Sequence, residues 1–171
     1  MSPTIRAPRP KELELLRDIE RAAGSLFAAI GFAEVAAAEP ASVADLAEYV
    51  LDGRAWVVAE HDEPVGYAVV DIVDGLAHLE QLSVLPEHGR KGLGSALLAH
   101  VCDWAAQRRL EAVTLTTFSA VPWNAPYYEK NGFRVMDDAE IGPELRDLCA
   151  LEAEHGLDPT QRVCMRRDVG R

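Results

Sequence analysis

The chain has 171 residues, 49% hydrophobic and 26% charged, with 12 glycines and 10 prolines. That is the make-up of one globular domain with a sizeable core, not of a disordered or fibrous chain. Its 28 acids against 17 bases give a net charge of −11, which opposes binding to nucleic acid or to an anionic membrane surface. No apolar run approaches the ~20 residues of a membrane span, and the start, Met1-Ser2-Pro3-Thr4-Ile5-Arg6, lacks an apolar signal region, so the cytoplasm is the expected location.

In chain order, Pro3 to Pro8 reads as a short opening strand. Leu13, Leu16, Ile19, Ala23, Leu26, Phe27 and Ile30 recur every three or four residues, the period of an amphipathic helix that Gly31 breaks. Ser42 is the expected N-cap of a second helix, with Asp45 as a weak capping-box partner and Gly53 as its end. Ala55–Ala59 is β-branched and aromatic, followed by a turn over His61-Asp62-Glu63-Pro64. Val65 to Val73 and Leu76 to Leu85 are the next strands, joined by the hairpin signal Asp74-Gly75. These three strands form an antiparallel meander.

After Pro86 comes a glycine-rich loop and a long helix marked by Leu93, Leu97, Val101, Trp104 and Ala105. Ala112–Phe118 is a strand. A short helix from about Pro122 to Lys130 stops at Asn131-Gly132. Phe133–Met136 starts a strand, Glu144 to His155 is a polar helix, and Arg162–Arg166 closes the sheet. The order is β-α-α-β-β-β-α-β-α-β-α-β, an α/β chain with a mixed sheet.

Charge is uneven along the chain. From Glu34 to Glu80 eleven acids face one base, Arg54; from Pro86 to Leu110 four bases (Arg90, Lys91, Arg108, Arg109) outnumber two acids. An anionic ligand belongs with the second segment and a cationic one near the first. The three cysteines, Cys102, Cys149 and Cys164, form no Cys-x-x-Cys pair, and an odd number argues against a closed disulfide set. Cys102 reads as a core filler. The histidines show no zinc-site spacing, so no metal is expected.

The chemistry concentrates in Leu82-Ser83-Val84-Leu85-Pro86-Glu87-His88-Gly89-Arg90-Lys91-Gly92-Leu93-Gly94-Ser95. A strand enters, three glycines fall within six residues, and a helix leaves. Glycines let the backbone turn tightly with its N–H groups bare, and the helix mouth adds partial positive charge. The result is an anion site suited to a pyrophosphate, with Arg90 and Lys91 adding charge. Walker A spacing fails because Ser95 stands where its lysine belongs. The dinucleotide fingerprint fails because Leu97 stands at its third glycine.

Gly89-Arg90-Lys91-Gly92-Leu93-Gly94 resembles the [Q/R]-x-x-G-x-[G/A] loop of the GNAT superfamily of acyl-CoA-dependent N-acyltransferases. Gly89 departs from its first position, and Arg90 next door is the expected substitute contact. Asn124 followed by Tyr128-Glu129-Lys130-Asn131-Gly132-Phe133 resembles the family's asparagine and its Y-x-x-x-G-F. The element order agrees over about residues 3–168. The resemblance implies one domain over residues 1–171. It also implies a mostly antiparallel central sheet of six to seven strands flanked by helices, with a splayed strand pair forming the cofactor cleft.

Further implications of the resemblance concern acetyl-CoA. Backbone groups at a bulge near Leu82, Ser83 and Val84 pair with the pantetheine amides. N–H groups from Arg90 to Ser95, through Lys91, Gly92, Leu93 and Gly94, hold the pyrophosphate. Asn124 lies along the pantetheine arm. The Val84 N–H faces the developing oxyanion, and Tyr128 donates a proton to the leaving thiolate. The thioester ends between the strands at Leu76–Leu85 and Ala112–Phe118. A homodimer is expected by resemblance alone.

Acetyl transfer to an amine needs a neutral amine, yet an alkylammonium titrates near ~10. Alternation puts His78, Glu80 and Leu82 on one strand face, and an acid on an apolar central strand is costly to bury. Glu80 is therefore the first choice of general base, directly or through water; His78 is the alternative. The bland reading of Glu80 is a pair with a surface cation or with His78. No nucleophilic triad appears, which suits direct attack in a ternary complex.

In this family the helices between Arg17 and Leu51 cover the acceptor. Asp18, Glu20, Glu34, Asp45 and Glu48 lie there. Singly they read as a solvated face, and together they favour a cationic amine: a polyamine-like metabolite, an aminoglycoside-like compound, or a peptide amine. Two other readings stay open, a GNAT-fold module that holds CoA without turnover and an interaction protein on the same scaffold.

Overall fold

A computed structural model of the protein describes residues 3–170. Its seven strands form one sheet in the order β1-β2-β3-β4-β5-β7-β6. They are β1 (Thr4–Arg6), β2 (Ala55–Glu60), β3 (Glu63–Val73), β4 (Leu76–Val84), β5 (Ala112–Phe118), β6 (Arg134–Val135) and β7 (Arg162–Asp168). The helices are α1 (Leu13–Gly24), α2 (Ala33–Ala36), α3 (Val43–Leu51), α4 (Leu93–Gln107), α5 (Ala125–Lys130) and α6 (Pro143–Glu154). The mixed α/β architecture expected from the element order is the one observed; β4 and β5 pair parallel, while β1 with β2, β2 with β3, β5 with β7 and β6 with β7 pair antiparallel. The chain divides into two compact units, one running to Val70 and including Glu80–His100, the other combining Asp71–Leu79 with the chain from Val101 onward.

In the first unit, period-2 alternation sends Ala55, Val57, Tyr67 and Val69 to one face, where Leu13, Leu16 and Ile19 of α1 and Leu46 of α3 cover them. Trp56 points the other way and meets His100 of α4 edge-on at 5.7 Å. The Ser42 side chain accepts from the Asp45 N–H at 3.1 Å, so the N-cap read from sequence starts α3. Two readings change. The helical period runs on to Ile30, but α1 ends at Gly24 and Ser25–Ile30 winds as a 3-10 helix with no buried residue to hold it. The β2–β3 turn holds only His61 and Asp62, both at positive φ, because Glu60 pairs directly with Glu63. Pro64 thus lies inside β3, beside the register shift at Val58/Ala59, where a strand tolerates a missing N–H.

In the second unit, β7 lies between β5 and β6. Its Met165 is fully buried. Asp74, in the β3–β4 turn, accepts from the Glu144 and Leu145 N–H groups at 2.9 and 3.0 Å. It thereby satisfies two orphan donors of α6 and sets a negative charge at the helix mouth.

Candidate active site

The loop after β4 is built by two residues in left-handed backbone, Arg90 (φ 63°) and Gly92 (φ 77°). Gly89, by contrast, is ordinary extended backbone (φ −66°, ψ 163°); a Cβ there would stand 3.2 Å from the Pro86 carbonyl. The tight turn expected of the glycines is thus made at Gly92 and, unexpectedly, at an arginine. Around a Cβ placed on Gly92 nothing lies within 4 Å, so there is open space beside that residue. The α4 ladder begins with Ala96 N–H donating to Gly92 O at 3.0 Å; the amides of Leu93, Gly94 and Ser95 precede it, at the positive end of the helix.

Both cations of the loop, Arg90 and Lys91, are exposed. The Lys91 ammonium donates to His88 Nδ1 at 3.3 Å and lies 3.7 Å from a Glu60 carboxylate oxygen. Glu60, at the end of β2, was not foreseen; it pairs with one of the loop's two cations.

Ahead of the loop, Ser83 is buried while Leu82 and Val84 are half-buried. Gln81 Nε2 donates to Ser83 Oγ at 2.8 Å. Gly66 of β3 lies beneath them: a Cβ there would come within 2.9 Å of the Ser83 carbonyl and 3.1 Å of Val84 Cγ2. An isolated glycine inside a strand pattern signals such an approach, and Val65-Gly66-Tyr67 carried that signal.

Glu80 is exposed, so the burial cost argued for it from sequence does not arise. Among the described acids of this unit, Glu12 is buried, paired with Arg6 at 2.8 Å, and Glu20 on α1 is half-buried. Tyr67, 1% exposed, donates its hydroxyl proton to Glu20. Burial raises the Glu20 carboxyl against the opposing pulls of Tyr67, Arg17 and Arg21. Burial first, then the Glu20 and Glu80 charges among others, hold the Tyr67 phenol protonated. Of the other helix acids, Asp18 pairs with Arg21 at 3.4 Å, and Glu34, Asp45 and Glu48 are exposed.

In the second unit, His78 is 1% exposed and its Nδ1 lies 2.9 Å from Thr114 Oγ1. Burial pushes it down to about 4, against the pull of Asp71 and Asp74, so the ring is neutral near pH ~7. Thr117, at a buried β5 position, donates its hydroxyl proton to Asn124 Oδ1, which fixes the side-chain amide ahead of α5; nothing in the sequence marked Thr117.

Tyr128 is fixed by the end of its own helix. Gly132 is left-handed (φ 89°), and the Phe133 and Gly132 N–H groups donate to the Tyr128 and Glu129 carbonyls at 3.0 and 3.1 Å, a Schellman stop. The motif folds Phe133 back, edge-on to the Tyr128 ring at 5.8 Å, with Tyr127 at 5.5 Å on another side. Burial, then Tyr127, raises the Tyr128 phenol above its ordinary value; it is a proton carrier, not a phenolate.

Residues 14–133 match the Acetyltransferase (GNAT) family, a span that crosses both units. The chain is 29% identical over 85 residues to the uncharacterized N-acetyltransferase YjcF of Bacillus subtilis (strain 168); the match covers 50% of this chain and 59%, about three fifths, of that protein. Among solved structures it is similar to the PaiA N-acetyltransferase of Thermoplasma acidophilum in complex with coenzyme A, with TM-score 0.75, 20% identity, and 98% and 99% of the two chains covered. It is also similar to the ribosomal-protein-S18-alanine N-acetyltransferase of Escherichia coli, with TM-score 0.68, 20% identity, and 99% and 96% covered.

Proposed function

The chain belongs to the acetyltransferase (GNAT) family, and on that premise we propose that it moves an acetyl group from acetyl-CoA to a primary amine by direct attack in a ternary complex. The observation that carries this reading is the left-handed pair Arg90 and Gly92, with open space beside Gly92, ahead of the first-turn amides of Leu93, Gly94 and Ser95. Donors so arranged fit a diphosphate. Leu82, Ser83 and Val84 would hold the pantetheine amides and Asn124 the arm.

Bound acetyl-CoA supplies an activated acetyl carbonyl. The residues of this chain do the rest. Glu80, exposed to solvent, takes the amine proton directly or through a water, leaving a neutral nucleophile. The Val84 N–H faces the carbonyl oxygen as charge develops there, a contact typically worth about 3–4 kcal/mol. Tyr128 donates to the departing sulfur. A phenol raised above its ordinary value is a weaker acid than a thiol near ~8.5, so full transfer to the thiolate is uphill, and the hydroxyl acts by hydrogen-bonding to the sulfur as charge develops there.

For the acceptor we infer a cationic small molecule or peptide amine. Eleven acids against one base between Glu34 and Glu80, and the exposure of Asp18, Glu34, Asp45 and Glu48, support it. The test is thiol release from acetyl-CoA across a panel of polyamines, aminoglycosides, peptide amines and anionic amines. Turnover with cationic amines is the expected result. Tight CoA binding with no release from any amine contradicts the transferase reading and favours a module that only holds CoA.

A further inference from the structure

We propose that Cys149 and Cys164 form a reversible dithiol–disulfide site, oxidised by low-molecular-weight disulfides of the glutathione type. Spacing gave no sign of it, because the two are separated by a helix and a turn. Structure brings them together. Leu145, Cys149 and Glu152 recur at helical spacing on one face of α6. Leu145 packs with Cys164 of β7. One turn beyond Cys149, the Glu152 carboxylate accepts from Thr116 Oγ1 at 3.0 and 3.1 Å and lies 3.4 Å from Arg162. Thr116 is the β5 partner of Cys164. Contacts on both sides of Cys149 therefore pin its helix over Cys164, and the two Sγ atoms lie 3.4 Å apart. Closing that 3.4 Å gap to the ~2.05 Å of a disulfide asks about 1.35 Å of side-chain movement.

The two thiols differ in access. Cys164 is buried and Cys149 half-exposed, and burial first, then Cys149, pushes the Cys164 thiol up to about 12. Cys149 therefore meets the oxidant. It loses its proton and attacks one sulfur of the disulfide, expelling a thiolate that takes up a proton. Cys164 then attacks Cys149 Sγ and expels the second thiol, to which its proton passes. The cysteine pair gives up two electrons and two protons, and the reagent leaves as two thiols. Cys102, buried on α4 in the same unit, has no cysteine contact among the described residues and serves as an internal control.

The full chain is treated with excess oxidised glutathione, denatured, alkylated with maleimide and weighed intact. The expected product carries a single maleimide, no glutathione, and a cross-linked peptide joining Cys149 to Cys164. Its melting temperature is about 5 °C or more above that of the dithiothreitol-reduced chain. Cys164→Ala is expected to stall as a glutathione adduct on Cys149. Cys149→Ser is expected to keep both remaining thiols reactive and to melt at one temperature with or without oxidant. Three maleimides on the treated wild-type chain, glutathione retained on Cys149, a bond to Cys102, or an oxidised form that melts no higher would each overturn the proposal.

Discussion

In the proposed mechanism Tyr128 and Glu80 act on opposite ends of the reaction, and their variants separate. Tyr128→Phe removes the phenolic hydroxyl and leaves the ring between Tyr127 and Phe133. It should lower kcat by about a hundredfold with the KM for acetyl-CoA unchanged; an unchanged kcat ends the acid assignment. Glu80→Gln should lose rate mainly near neutral pH, where the amine most needs its proton removed. Full activity there moves the base to water or to His78. His78 itself carries a stability signature. Its folded value near 4 lies below its ordinary 6.5, so between these pH values the unfolded chain binds the extra proton. The stabilisation is whole above pH ~6.5 and is lost as pH falls through the folded value. From pH ~7 to ~4.5 that amounts to about 2 kcal/mol. Urea titrations should show His78→Gln losing less stability than wild type over this range by about that amount; parallel curves contradict it.

Elements carry the next level. Gly92 is left-handed with open space around it, so Gly92→Ala adds backbone strain of about 1 kcal/mol and no clash. We expect acetyl-CoA affinity to fall several-fold while the melting temperature moves little. Gly66→Ala is the opposite case: the new methyl meets the Ser83 carbonyl at 2.9 Å and Val58 Cγ1 at 3.0 Å, and β3 or β4 must shift. Overpacking of this kind costs about 1–3 kcal/mol, so both stability and cofactor affinity should fall; calorimetry showing either unchanged is evidence against the role given to Gly66.

Sequence reading reached far at this scale because its strongest signals are local. Asp74-Gly75, Ser42 and the Asn131-Gly132-Phe133 stop each act within one turn of chain, and each forms as read. What escaped depends on remote partners. The His61-Asp62 turn is set by the Glu60–Glu63 pair, not by Pro64, which pairs with Ala59 inside the strand. Left-handed backbone at Arg90 is a conformation its side chain gives no reason to expect. Thr117 and Glu60 matter only through the residues that fold places beside them. The turn at Gly92 and the helix stop after Tyr128 were legible because each is set by its own local glycine.

Across the whole molecule, charge is the governing quantity. A net −11 with the acids crowded before Glu80 should draw cationic acceptors and repel anionic ones. Attraction of that kind is screened by salt over a Debye length of about 10 Å at ~0.1 M. kcat/KM for a polyamine should therefore fall several-fold between low salt and ~0.5 M, while that for a singly charged small amine changes much less; equal slopes contradict a cationic acceptor. Central to the account is the claim that the main-chain amides from Arg90 to Ser95 receive the diphosphate. The direct measurement is a backbone amide NMR titration with coenzyme A and, separately, with pantetheine, which lacks the phosphates. The account predicts that coenzyme A moves the amide resonances of residues 90–95 and that pantetheine leaves them in place. Coenzyme A binding that leaves those amides unmoved would contradict it.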